Sequence, residues 1–150
     1  MVSKVKLITE FSTKDNITLH NTKDILKFLH DFENMDFLAE EHTFAIFTDT
    51  QNKIINYCLV SKGNEKISLL DLKTVFKVGL LSNASRIVLA HNHPSGCLKP
   101  SKRDLRTTRY LKFGCKILGF ELLDNVIVAN NDVFSLYKMY GKNFDKKMRR

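Results

Sequence analysis

The sequence predicts a single domain of the mixed α/β (α+β) class, with a central mixed β-sheet flanked by helices, and three observations carry that expectation. Segments that alternate apolar and polar residues are interspersed with segments whose apolar residues recur every three or four positions. Arg86 to Ala90 is a short, nearly all-apolar run, the signature of a strand buried on both faces. The 150 residues, 43% hydrophobic and 27% charged, suffice for one real core. A chain of this size buries roughly two-thirds of its unfolded surface, so any metal it holds serves chemistry rather than folding.

Taken in order, Val5, Leu7 and Thr9 alternate with Lys4, Lys6 and Glu10 as a half-buried strand. Asn21 or Thr22 then caps a helix running to about Leu38, because Ile25, Leu26, Phe28, Leu29, Phe32 and Met35 fall on helical spacing. Thr43–Thr48 and Ile54–Val60 are rich in β-formers and flank the turn residues Asp49 to Asn52, which predicts a hairpin. Gly63-Asn64 precedes a short third segment near Ile67 to Leu69. Asp71 to Leu81 reads as a helix with Leu72, Val75, Phe76 and Leu80 on one face. After the buried Arg86–Ala90 strand comes a loop, His91 to Pro100, that holds both prolines of the chain. Ser101 opens a helix to about Leu118, with Leu105, Tyr110, Leu111 and Ile117 as its expected buried side and Gly119 as its C′ residue. Leu122–Val128 and Val133–Leu136 supply the last strands.

Composition excludes some classes of function. No apolar run approaches the roughly 20 residues of a bilayer crossing. The N-terminus lacks an apolar h-region and a small-residue cleavage site, so no signal peptide is expected. Three cysteines in no paired spacing point to a reducing, cytoplasmic setting. The net charge of +8 suggests an anionic partner. It is concentrated in two places. Residues 85–116 hold 8 basic and 1 acidic side chains, and the tail ends Lys146-Lys147-Met148-Arg149-Arg150. Lys99, Lys102, Arg103, Arg106 and Arg109 begin a basic series along the helix that Ser101 opens, a candidate surface for DNA or an acidic protein. A solvated helix face is the plainer reading of that series.

The chemistry is concentrated in the loop. His91 and His93 are two apart at a strand end, where alternate side chains share a side and two imidazoles can converge on one metal ion. A lone H-x-H is more often a surface pair. Ser101-Lys102-Arg103-Asp104 follows, and Ser-x-x-Asp by itself is the pattern of a helix capping box. The joint pattern H-x-H-x7-S-x2-D arises by chance in on the order of one such chain in two thousand, so it is specific where its halves are not. Two imidazoles and one carboxylate are a set that zinc favours in catalytic sites, with the fourth position left to water. Such a water needs a nearby base. Glu40 and Glu41, just before the Thr43 strand, are both candidates on spacing. Cys97 lies four residues after His93 and reads as loop filler; Cys58 and Cys115 read as small core residues.

The run Leu89-Ala90-His91-Asn92-His93-Pro94-Ser95-Gly96 with Pro100-Ser101-Lys102-Arg103-Asp104 resembles the RadC-like branch of the JAB/MPN metalloprotease superfamily. The JAMM motif of that superfamily is a glutamate followed by the same H-x-H-x7-S-x2-D spacing. The resemblance covers about Glu41 to Tyr137 and implies a JAB/MPN fold similar to cytidine deaminases. It implies that His91, His93 and Asp104 bind one Zn2+, that Glu41 rather than Glu40 activates the metal-bound water, and that Ser101 helps hold the tetrahedral intermediate. It implies a hydrolase of peptide or isopeptide bonds, associated by family with DNA repair or mobile elements. On this reading residues 1–40 form a strand and helix packed on the same domain, 41–140 the catalytic domain and 141–150 a basic tail. Residues 1–40 are too short for the helix-hairpin-helix portion that longer members carry. The family usually has Leu-Leu-Asp-His where this chain has Leu122-Leu123-Asp124-Asn125, so the contact made by that histidine does not carry over. The alternative reading is a nucleic-acid-associated module or a metal-dependent nuclease whose basic helix and tail contact DNA.

Overall fold

A computed structural model of the chain describes residues 16–63 and 69–140. The expected first strand at 4–10, most of the segment near Ile67 and the tail 141–150 lie outside the described residues.

The hydrophobic pattern builds a five-stranded sheet in the order β2-β1-β3-β4-β5. β1 (His42–Thr48) pairs antiparallel with β2 (Ile54–Lys62) through the hairpin, and on its other edge antiparallel with β3 (Arg86–Asn92). β3 runs parallel to β4 (Glu121–Ala129), which pairs antiparallel with β5 (Asp132–Ser135). The parallel pair requires a crossover, supplied by helix α3 (Lys102–Leu118). The sheet is therefore mixed, as the sequence predicts. Asn52, at φ 63, closes the hairpin turn in the left-handed region that asparagine tolerates.

Strand alternation sorts the core into two layers. Phe44, Ile46, Val88, Ala90, Val126 and Val128 point to the side of helix α1 (Thr22–Glu33) and pack with Ile25, Phe28 and Leu29. Ala45, Phe47, Ile87 and Leu89 point the other way, toward α2 (Leu69–Leu81) and α3, and meet Val75, Leu111 and Cys115. Central strands buried on both faces are what the apolar run in β3 requires. A short helix α4 (Leu136–Tyr140) follows β5 directly, so Leu136 begins a helix rather than ending a strand.

Three further expectations need correction. Helix α1 stops at Glu33, not near Leu38, because Asn34 adopts φ 48 and its N–H turns back to the carbonyls of Leu29 and His30. Met35 stays fully buried in a 3-10 turn, which is why the apolar spacing continues past the helix end. On α3 the buried side is Leu111, Cys115, Thr107 and Thr108, whereas Tyr110 and Ile117 are exposed. On α2, Leu80 is likewise exposed while Leu72 and Val75 are buried. Where α2 and α3 approach, a Cβ on Gly114 would stand 2.3 Å from the Phe76 ring, so only glycine admits that ring.

Candidate metal centre

His91 has the strand parity of Ile87 and Leu89 and so faces the α3 layer; Asn92 has the parity of Val88 and Ala90 and faces the α1 layer. One residue past the strand, His93 is held by its N–H, which donates to the Val128 carbonyl at 3.0 Å. The chain then turns: the Gly96 N–H returns to the His93 carbonyl, and the Asn130 side chain donates to the Gly96 carbonyl at 3.1 Å. Gly96 sits at φ +76 with the Asn130 amide 2.7 Å from where a Cβ would be, so this turn needs glycine.

The loop delivers Ser101 as N-cap of α3. Its hydroxyl accepts from the Asp104 N–H at 3.2 Å, and Asp104 Oδ2 accepts from the Ser101 N–H at 2.7 Å and hydroxyl at 2.8 Å. The capping box and the metal-ligand pattern are thus one structure. Oδ2 is taken up by the helix start, while Oδ1 lies 3.4 Å from His91 Nε2. His93 Nε2 is 3.1 Å from His91 Nε2 and 3.7 Å from Asp104 Oδ2. One donor atom from each of the three residues lies within 4.8 Å of the others, and His91 and Asp104 are buried.

These residues fit a metal ion. In a tetrahedral zinc site with bonds near 2.0–2.1 Å, neighbouring ligand atoms are about 3.3 Å apart. The two imidazole Nε2 atoms, 3.1 Å apart, stand near that value, and each has a different oxygen of Asp104 beside it, Oδ1 at 3.4 Å from His91 and Oδ2 at 3.7 Å from His93. His93 Nδ1 lies 2.6 Å from the Cys97 carbonyl. A carbonyl only accepts, so Nδ1 carries the proton and the neutral ring keeps its Nε2 lone pair for a metal. Buried His91 Nδ1 has no hydrogen-bond partner among the described residues, which leaves the ring's polar contacts to the cluster. Burial alone would raise the Asp104 carboxyl; hydrogen bonding and charge from His91, then the N–H and hydroxyl of Ser101, outweigh it and hold the group down at about 2. A metal ion would take the place of the His91 proton as the carboxylate's charged partner, leaving two neutral imidazoles and an ionised carboxylate as the donor set.

A family profile of the RadC-like JAB domain matches residues 19–142. The chain belongs to the RadC-like JAB domain family. Among its relatives are UPF0758 proteins from Chlorobaculum tepidum (34% identical, covering 83% of this chain and 55% of that protein) and Geobacillus sp. (33%, covering 86% and 56%). A third, from Finegoldia magna, is 40% identical over 65% of this chain and 44% of its own length. The chain spans about half the length of the curated relatives it matches.

In this RadC-like JAB domain Glu41 immediately precedes β1, and its carbonyl accepts from the Gly63 N–H. Thr43 pairs with His91 at the end of the β1–β3 ladder, and that register, if continued by two residues, would set Glu41 opposite His93. Glu40 falls on the other side, its carboxylate 3.8 Å from Lys62. Glu41 is half-buried and is not one of the three clustered donors.

Asn92 and Thr108, which the sequence does not mark, shape the site, and Asn125 and Cys97 enter it in ways the sequence does not show. Asn92 clamps the lead into β1: its Oδ1 accepts from the His42 N–H at 2.7 Å, and its Nδ2 donates to the Glu40 carbonyl at 3.1 Å. Strand alternation was the available signal, since the residue between two same-side histidines must face the opposite layer. Asn125 is fully buried and donates to Thr108 Oγ1 at 2.6 Å; Thr108 in turn donates to the Asp104 carbonyl at 2.6 Å. Asn125 therefore braces α3 one turn beyond Asp104. Cys97 enters the site through its backbone carbonyl. Burial pushes the Cys115 thiol up to about 12 and that of Cys58 to about 11, so both are inert at neutral pH. Among the described residues no helix is long and apolar enough to cross a membrane.

Proposed function

We propose that this RadC-like JAB domain is a zinc-dependent hydrolase of peptide or isopeptide bonds. The single observation that carries the reading is the convergence of His91, His93 and Asp104. Those three residues would hold the Zn2+. When bound, zinc supplies a Lewis acid that polarises the scissile carbonyl and brings water toward ionisation near neutral pH.

The chain supplies the rest. Glu41, across from His93 by register, takes the proton of the attacking water and returns it to the leaving amine. Ser101 donates to the negative charge that develops on the carbonyl oxygen, once its hydroxyl swings from Asp104 Oδ2. His93 keeps its proton on Nδ1, fixed by the Cys97 carbonyl, through the cycle.

The test joins metal analysis to turnover. Purified protein should carry about one zinc per chain and cleave members of a fluorogenic peptide and isopeptide panel. His91→Ala should abolish both. Wild-type protein that refuses zinc, or cleavage that persists in His91→Ala, sinks the proposal.

A second reading is favoured by one observation: Lys99, Lys102, Arg106 and Arg109 are exposed around the start of α3, beside the site. A nucleic-acid module or metal-dependent nuclease would use them as phosphate contacts. DNA affinity that falls steeply with salt, with cleavage lost in Glu41→Gln, would select it over the peptidase.

A further inference from the structure

We infer that the groove between α2 and α3 is a docking site for an acidic amphipathic helix of a partner protein. This surface is separate from the metal centre and the inference does not rest on the hydrolase reading.

The groove measures about 580 Å³, with Leu72 and Phe76 as its floor and Leu80, Tyr110 and Phe113 on its walls. Phe113 is 66% exposed, Leu80 55% and Tyr110 46%. Single exposed apolar side chains are ordinary, but three large ones converging on one trough mark a contact surface. The trough is built in by sequence, because Gly114 lets α3 close onto the Phe76 ring and so bring Tyr110 and Phe113 beside α2.

Its length fits one kind of ligand. From Leu72 to Leu80 α2 rises about 12 Å, which matches a partner helix presenting apolar residues at i, i+3, i+4 and i+7. Its charge fits too. Lys73 and Lys77 flank the groove on α2, and Arg106 and Arg109 stand on α3 one turn before Tyr110 and Phe113; all four are exposed. None of the four forms an ion pair with another described residue. Neither 72–81 nor 105–118 contains an Asp or Glu. A basic rim around an apolar trough is complementary to an apolar helix face with acidic flanks.

Other occupants fit less well. In a two-fold contact a second copy would set this rim against itself, four cations facing four. A nucleic-acid strand needs successive flat faces for stacking, whereas Leu72 and Leu80 offer aliphatic surface.

Fluorescence anisotropy with the full chain tests the inference. The probe is a labelled peptide of about 16 residues with Leu and Phe at i, i+3, i+4 and i+7 and Glu on both flanks. Controls are a scrambled peptide of the same composition, a version with Lys for Glu, and a single-stranded oligonucleotide. The acidic amphipathic peptide should bind at least tenfold tighter than either control peptide, and more weakly as salt rises. Phe113→Glu and the double variant Lys73→Glu/Lys77→Glu should each weaken it by tenfold or more. Both change exposed positions, and an unchanged melting curve verifies the fold. Equal binding of the scrambled or Lys peptide, or binding indifferent to Phe113→Glu, overturns the inference. So does oligonucleotide binding, or self-association seen by sedimentation, that outcompetes the peptide and is lost in Phe113→Glu.

Discussion

Thr43 and His91 stand directly opposite one another in the antiparallel pair of β1 and β3, and this one pairing orders the whole site. Continued two residues past the last pair of that ladder, the register would set Glu41 opposite His93; one residue outward, the His42 N–H donates to the Asn92 side chain on the opposite layer. On that continued register the two adjacent glutamates, which spacing cannot tell apart, would fall on opposite sides. Glu41→Gln should lower turnover by roughly 10²–10⁴ while the protein keeps its metal, and Glu40→Gln should stay within about twofold of wild type. Steady-state kinetics with metal analysis on both variants checks this, and equal losses would remove the assignment.

Asn92 holds the entry to β1 from below. Asn92→Ala leaves the His42 N–H and the Glu40 carbonyl without their partner, an expected loss of about 1–3 kcal/mol in stability. Urea unfolding measures it. The three metal donors are untouched, so zinc stoichiometry should survive.

Ser101 has two duties that a pair of substitutions can separate. Ser101→Ala removes the cap of α3 and should cost about 1 kcal/mol of stability as well as turnover. Ser101→Gly keeps most of the cap's stability and brings no side-chain donor, so its melting temperature should stay near wild type while turnover stays low. Recovery of turnover in the glycine variant would assign the serine to capping alone.

Asp124 gives the fold a pH dependence of known sign. Burial raises its carboxyl above the ordinary 3.8, against the lowering effect of hydrogen bonds from Ser135 and the N–H groups of Tyr137 and Asn125 and of the charge on Lys138. A raised carboxyl binds its proton more tightly in the folded state, so its contribution is fully present below 3.8 and is lost as pH rises through the folded value. Asp124→Asn cannot titrate. Its stability relative to wild type should therefore improve as pH rises from about 3 to 7, measured by denaturant melts. A difference that is flat with pH would contradict the burial effect.

What was legible in the sequence was what is local. The cluster of His91, His93 and Asp104 was readable because it joins a strand end to the next helix start, eleven to thirteen residues on, where spacing fixes geometry. The end of α1 was not, because apolar spacing reports burial rather than hydrogen bonding, and Met35 is as buried in its 3-10 turn as it would be in a helix. The exposed side of α3 was missed for a related reason. Tyr110 and Ile117 keep helical spacing with Leu111, yet only contact with the sheet decides which face is covered. Asn125 and Thr108 meet across 17 residues of chain, a relation with no local signature.

Asp104 answers to two requirements at once: Oδ2 takes the N–H and hydroxyl at the helix start and lies 3.7 Å from His93 Nε2, while Oδ1 lies 3.4 Å from His91 Nε2. A glutamate at this N3 position would keep the reciprocal bond of the capping box but carry its carboxylate one methylene further toward His91, and an asparagine would keep an acceptor for the cap but bring no anion. A substitution that leaves the start of α3 intact therefore still changes what faces the histidines, so the stability of the helix does not report on the state of the cluster.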